Sequence, residues 1–278
     1  MGCVTGLLTR AVPSTGEALP VIGLGTWQTF DVASTATAQA PLEAVLRTFV
    51  DSGGRLVDSS PMYGRAEQVL GDLSSRVGVN AHLFVATKVW TQGKAAGIRQ
   101  MEASMRKLGR SRIELLQVHN LVDVDAHLNT LEEWQREGRV RYIGITHYTS
   151  SAHDQVAQVL TSRRVDFVQI NYSAAERAAE RRLLPLAQER GVAVLVNRPF
   201  AEGALLRRLA GRPLPGFAAE IGCQSWPELL LKFVVAHPAV TCAIPATSSV
   251  THLQENMRAA LGALPDRALC GRIAAEMD

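Results

Sequence analysis

The chain has 278 residues, 47% apolar and 20% charged, a globular balance with enough apolar material for one large core. A formal net charge of +3, dispersed along the chain, excludes an electrostatic nucleic-acid binder. No apolar run approaches the roughly 18 residues that read as a bilayer span, so no membrane partner is expected either.

The cysteines at positions 3, 223, 242 and 270 have no ligand-like spacing, which fits a reduced, cytoplasmic protein without a metal site. The N-terminus lacks the basic and apolar blocks of a signal peptide. Gly6 stands where a myristoylation motif needs Ser or Thr.

In chain order, residues 4–8 and 10–12 read as a small hairpin ahead of the main fold. Val21-Ile22 reads as a short buried strand, and Gly23 and Gly25 let the backbone turn or approach a ligand closely. Leu42, Val45, Leu46, Phe49 and Val50 follow helical spacing, and Gly53-Gly54 stops that helix. The strand at 55–58 leads through a loop to a helix near 65–75. Strand 83–90 is followed by a helix marked by Ile98, Met101, Met105 and Leu108. Strand 113–120 precedes a helix marked by Leu128, Leu131 and Trp134. The remaining units pair strand 139–148 with helix 151–161 and strand 165–173 with helix 176–190. Strand 192–200 runs into an irregular Gly- and Pro-rich stretch, 201–224. Helix 226–237, strand 240–244, helix 249–262 and a short helix in the tail complete the chain.

Eight short apolar strands alternate with helices, as expected of a parallel sheet covered on both faces. Eight units in this length predict a closed (β/α)8 TIM barrel, class α/β, with a short N-terminal β-hairpin and a long loop before the penultimate helix. No linker or composition shift divides the chain, so residues 1–278 are read as one domain.

Polar residues fall at the C-terminal ends of these strands, the rim where such barrels carry their chemistry. RLVDSSPMYG (55–64) places Asp58 at a strand end and Tyr63 on the following loop; Lys88 and His119 end the next two strands. A solvated rim explains polarity, but not an Asp, a Tyr, a Lys and a His on three successive units. A tyrosine with an ordinary pKa of about 10 exchanges protons poorly at neutral pH, and a nearby ammonium is expected to lower it. Lys88 can supply that charge, Asp58 can hold Lys88 in place, and His119 can hydrogen-bond a substrate oxygen. The partner reaction, hydride delivery to a carbonyl carbon, needs a nicotinamide.

GLGTW (23–27), VDSSPMYG (57–64), ATKVW (86–90) and LLQVHN (115–120) occur in the order found in the aldo-keto reductases, which the chain resembles from about Leu19 to Asn256. The resemblance implies a catalytic set of Asp58, Tyr63, Lys88 and His119. It also implies a nicotinamide site: Gly25, Thr26 and Trp27 with Asp58 at the first strands, Thr146-His147 where the family commonly has Ser-Asn, Gln169 for the carboxamide, and Tyr172 stacking on the ring. Asn197, Arg198, Pro199 and Phe200 stand where the pyrophosphate loop belongs, and Arg198 can pair with phosphate. Ala246, Thr247, Ser248 and His252 stand at the adenosine-phosphate site, with Glu255 and Asn256 matching the adenine contacts. Ala246 and His252 replace residues that are often basic, so NADPH is expected with NADH as the alternative.

The implied activity is reduction of an aldehyde or small ketone, a small-molecule carbonyl, by NAD(P)H in an open site. The loop after His119 is short, and only 22 residues follow Asn256. Two other readings stand beside it: a cofactor-binding regulatory subunit with little turnover, and a Schiff-base lyase using Lys88. His82, His127, His153 and His237 are read as incidental, Trp134 and Trp226 as helix packing, and Trp27 and Trp90 as pocket or core.

Overall fold

A computed structural model describes residues 6–277. Eight parallel strands form one curled sheet in sequence order: β3 (Leu24–Gly25), β4 (Leu56–Asp58), β5 (Phe84–Val89), β6 (Ile113–His119), β7 (Val140–Thr146), β8 (Phe167–Asn171), β9 (Ala193–Asn197) and β10 (Val240–Ala243). Bridges from Ile22 to Ala243 and from Gly25 to Ala246 join the first strand to the last and close the barrel. The closing bonds are Gly23 N–H to the Ala243 carbonyl (2.8 Å), Ala243 N–H to Val21 (2.9 Å) and Gly25 N–H to Pro245 (3.0 Å). The expected eight-stranded barrel is therefore present, although its first strand lies two residues beyond Val21-Ile22.

Side chains alternate across a strand, so residues two apart share a face. Leu56, Phe84, Ala86, Leu115, Tyr142, Phe167, Leu195 and Cys242 form one buried cluster, the barrel interior. The second and larger cluster lies between the barrel and its helices. Continuing the inner face upward by two-residue steps reaches Asp58, Lys88, Gln117, His119, Thr146, Gln169 and Asn197. Register aligns them: Gly25 beside Asp58, Lys88 beside Gln117, His119 beside Thr146, and Thr146 beside Gln169.

A hairpin of β1 (Thr9–Ala11) and β2 (Ala18–Pro20) closes the opposite mouth. The expected pairing of 4–8 with 10–12 is replaced by Thr9 against Pro20 in antiparallel register; residues 4 and 5 lie outside the described residues. Val12 and Leu19 reach the interior cluster. Glu17 pairs with Arg55 and Arg141 (3.2 and 2.7 Å) and accepts from the Tyr142 hydroxyl at 2.9 Å.

Helices α1 (Ala36–Asp51), α2 (Ala66–Arg76), α3 (Lys94–Lys107), α4 (Val124–Arg136) and α5 (His153–Ser162) alternate with β3 to β8. α6 (Leu183–Arg190) is shorter than the expected 176–190, because Pro185 would fall in the interior of the longer helix. A 3-10 turn at Ala178–Arg181 precedes it, separated by the non-helical Arg182 (φ −144°). The stretch 201–224 is not wholly irregular: α7 (Ala204–Leu209) buries Leu205 and Leu209, and Gly216–Ile221 forms a 3-10 turn. α8 (Trp226–Ala236), α9 (Val250–Arg258) and α10 (Arg267–Ala275) follow.

Helix α2 approaches the end of α3 through Gly71, where an added Cβ would lie 2.0 Å from the Lys107 carbonyl. Backbone cannot yield as a flexible side chain does. Gly71→Ala is therefore expected to destabilise the protein by about 1–3 kcal/mol in urea unfolding, despite alanine's better helix propensity. A gain in stability would show that the two helices separate freely.

Candidate active site

Asp58 ends β4, and its carboxylate is fully engaged. Lys88 Nζ donates to Oδ2 at 2.7 Å and to the Ser59 carbonyl at 2.7 Å. Oδ1 accepts from the Gln169 side-chain amide at 2.9 Å and from that of Gln117 at 3.3 Å. Thr26 Oγ1 donates to the Asp58 carbonyl at 3.0 Å and lies 3.0 Å from Ser59 Oγ, whose hydroxyl can donate to it, tying the β3 end to the β4 loop.

Lys88 is 0% exposed, so burial works to lower its pKa; the negative charge of Asp58, with Tyr63 adding to it, outweighs that and raises it. It is a charged, immobilised ammonium. A lysine held protonated against a carboxylate is not the free amine that Schiff-base chemistry needs, so the geometry disfavours the lyase reading.

The Lys88 ammonium lies 5.1 Å from the centroid of the Tyr63 ring. Trp27 packs against that ring at 4.9 Å and His119 meets it edge-on at 6.0 Å. The expected lowering of the Tyr63 pKa is not the net result. Burial raises it, and the opposing pull of Lys88 only partly compensates, with Asp58 adding a further upward push. Tyr63 rests as a protonated phenol.

His119 is pushed down to about 2, first by burial and then by the charge of Lys88, so its ring is neutral at any working pH. Its Nδ1 lies 3.1 Å from Ser60 Oγ. The unfolded chain's histidine protonates near 6.5, so between those values the unfolded state binds the extra proton. The stability tied to His119 is thus present above about pH 6.5 and lost as the pH falls below it, by about 1.4 kcal/mol per unit. Wild type is expected to lose about 2 kcal/mol more than His119→Gln between about pH 6.5 and 5. Parallel pH–stability curves for the two proteins would mean the ring is not held neutral.

A cleft of about 1150 Å³ opens over these groups at the C-terminal ends of the strands. Asp58, Tyr63 and His119 line it, with Lys88 immediately behind. Of the expected cofactor residues, Gly25, Thr26, Trp27, Thr146 and Gln169 line one part of it. Asn197, Arg198, Pro199 and Phe200 line the next, and Ala246, Thr247, His252, Glu255 and Asn256 the far end. Trp27, Trp90 and Tyr148 stand at the rim, each exposed by more than 40%.

Three expected residues are elsewhere. Tyr172 is 2% exposed; it packs on Phe233 and donates its hydroxyl to Glu180 at 2.7 Å. Three residues beyond the inward Gln169, it has the opposite parity and points to the helices. His147, one residue past Thr146, turns its Nδ1 back onto the Tyr148 and Thr149 amides. Ser248 is exposed and outside the cleft wall.

Other residues escaped the sequence reading. Gln117 and Ser60 contact Asp58 and His119 directly. Leu206, Arg212 and Trp226 join the cleft wall, so Trp226 is more than helix packing. Gln117 was legible as an inward residue two positions before His119; Leu206 and Arg212 fall in the stretch read as irregular.

The cleft's far end is polar backbone and hydroxyl. Ser249 caps α9, its side chain accepting from the His252 N–H, and Thr247 Oγ1 accepts from the Ser249 N–H at 3.1 Å. Arg198 adopts φ +52° and is held by the Tyr148 carbonyl (2.9 Å) and Glu202 (3.4 Å). No residue beyond Asn256 lines the cleft among the described residues, which leaves its mouth open.

The model of the aldo/keto reductase family matches residues 21–269. The methylglyoxal reductase YeaE of Escherichia coli (strain K12) is 27% identical over 245 residues, which cover 86% of this chain and 84% of that protein. An aldo/keto reductase from Klebsiella pneumoniae, solved in complex with NADP and acetate, superposes with a TM-score of 0.79 at 26% identity, covering 94% of this chain and 93% of that one. An aldo-keto reductase from the same organism, in complex with NADPH, gives 0.81 at 25% identity, with 98% and 95% covered.

Proposed function

The chain belongs to the aldo/keto reductase family, and from that premise we propose that it reduces an aldehyde or small ketone to the alcohol with NADPH, Tyr63 acting as general acid. One domain, residues 1–278, performs the reaction in this reading. The observation that carries it is the fully buried Lys88–Asp58 pair, 2.7 Å apart, beneath a protonated Tyr63 and beside a neutral His119.

The residues fit a dinucleotide. The cleft runs from the catalytic side chains to the capped start of α9. Its wall at Gly25 is bare backbone, because a Cβ there would meet the Ile244 carbonyl at 2.7 Å. Asn197 Oδ1 on the same wall is buried with no partner among the described residues. When bound, the nicotinamide supplies the hydride that no side chain can. Thr146, Gln169 and Asn197 would hold its carboxamide end. Thr247, the α9 amides and Arg198 would hold the phosphates, and Glu255 and Asn256 the adenine.

The chain's own part is proton and charge management. Tyr63 gives its phenolic proton to the carbonyl oxygen. Lys88, which stays protonated, compensates the phenolate that forms, and Asp58 keeps the ammonium aimed. His119, neutral, donates a hydrogen bond to the same oxygen and orients the substrate. The rim beside Tyr63 is apolar at Trp27, Trp90 and the Met62 side chain, which favours uncharged carbonyl substrates, while the Arg198 guanidinium lies on the other side, 5.9 Å from the Tyr148 ring.

Titration with NADPH and NADH, read by tryptophan fluorescence, tests the cofactor assignment, since Trp27, Trp90 and Trp226 line the cleft. NADPH is expected to quench at lower concentration than NADH, and methylglyoxal or a simple aldehyde to be reduced with NADPH consumed. Binding of neither nucleotide would end this reading; binding without turnover on any carbonyl would favour a regulatory subunit instead.

A further inference from the structure

Ser60 stands two residues beyond Asp58, fully buried, and its hydroxyl oxygen lies 3.1 Å from His119 Nδ1. That oxygen also accepts the Met62 N–H at 3.3 Å. Among the described residues Ser60 makes no other side-chain hydrogen bond. A serine hydroxyl carries one proton, and a neutral imidazole has one donor nitrogen and one acceptor nitrogen.

Two arrangements are possible. If Nδ1 carried the ring proton it would donate to Ser60, and the serine's own proton would be buried without an acceptor. If Ser60 donates to Nδ1, every buried group in the chain of contacts is satisfied: Met62 N–H to Ser60, Ser60 to Nδ1. His119 Nε2 then carries the ring proton. That nitrogen makes no bond among the described residues, is not among the buried unpartnered atoms, and belongs to a side chain that lines the cleft.

We propose that Ser60 is a positioning residue that donates to Nδ1 and holds His119 in the Nε2–H tautomer, so that the nitrogen open to the cleft is a fixed donor to the substrate's carbonyl oxygen. The significance for catalysis rests on the carbonyl-reductase reading above; the tautomer itself does not. With Ser60 in place the carbonyl oxygen meets two donors, the Tyr63 hydroxyl and Nε2–H. In the other tautomer a ring lone pair would face the oxygen's own lone pairs, opposing substrate binding and the charge that develops on reduction.

The test is long-range proton–nitrogen NMR on protein labelled with nitrogen-15 histidine, with His119→Gln used to identify the His119 signals among the seven histidines. The wild type is expected to show a protonated Nε2 and an acceptor Nδ1; a protonated Nδ1 would overturn the proposal. This spectrum decides the matter even where a variant fails to fold. Ser60→Ala is expected to show both tautomers and to lower kcat about tenfold with NADPH affinity unchanged. Ser60→Thr, which returns a hydroxyl, should restore both readouts. An alanine variant that keeps the pure Nε2–H form would overturn the role given to Ser60. A changed tautomer with unchanged turnover would uphold Ser60 as the tautomer's cause and overturn instead the part assigned to His119 in the reaction.

Discussion

Lys88→Met is expected to abolish carbonyl reduction and to lower the unfolding free energy by about 3–5 kcal/mol. The side chain is fully buried, and among the described residues its ammonium is the only cation bonded to Asp58. Methionine fills much the same volume, so the loss is not a cavity effect. It is the cost of leaving Asp58 buried at 3% exposure with only the two glutamine amides for company. The sign of the pH dependence follows from the raised pKa of Lys88. The pair's contribution is fully present below the unfolded lysine value of about 10.4 and is lost as the pH rises through the folded one. Across the neutral range the stability gap between wild type and variant should therefore be flat. The double variant Lys88→Met with Asp58→Leu is expected to recover much of the stability and none of the turnover, separating the pair's structural and chemical roles. Wild-type stability in the single variant, by denaturant titration, would refute a buried ion pair at this site.

Tyr63→Phe is expected to lower kcat by about 10²–10⁴-fold while leaving NADPH affinity within about twofold. The ring remains to pack on Trp27, and only the proton donor is lost. Stability should change by less than about 1 kcal/mol. Because burial raises the Tyr63 pKa above its ordinary value of 10.0, the competent, protonated phenol persists through the neutral and mildly alkaline range. Loss of reductase activity through this group in the wild type belongs at still higher pH. Single-turnover measurement with preloaded NADPH isolates the proton-transfer step; an unchanged rate in the variant would remove Tyr63 from the mechanism.

Strand parity explains both the successes and the misses of the sequence reading. Asp58, Lys88 and His119 each stand two or four residues beyond an inward apolar side chain, Leu56, Ala86 and Leu115, so short apolar strands suffice to aim them at the same axis. The same rule, applied one step further, excludes Tyr172 and His147. Both sit at odd offsets from inward residues, and motif resemblance alone does not register that difference. Pro185 is a signal against a helix as long as 176–190 that the spacing of apolar residues did not register, and the hairpin register had no local signal at all. With Thr9 paired to Pro20, Glu17 meets Arg55 and Arg141, partners distant in the chain that no local pattern brings together. Ser60 was visible as part of VDSSPMYG but had no visible partner, because its contact with His119 spans 59 positions. The wall contributed by Leu206, Arg212 and Trp226 was hidden for a similar reason: a Gly- and Pro-rich stretch shows where regular structure ends, not where the chain folds back.

The barrel's closure makes it resemble a cask whose last stave is lightly hooped. β6 and β7 share register over six residue pairs, whereas β3 offers β4 only two and meets the β10 side through isolated bridges. The cleft straddles this joint, with Gly25, Thr26 and Trp27 on one bank and Ala246 and Thr247 on the other. A dinucleotide lying there would clasp both banks, adding about 2.7 kcal/mol at a hundredfold excess over its dissociation constant. The reductant would then serve also as the hoop, and the protein's lifetime against opening along its joint would track the supply of nucleotide around it.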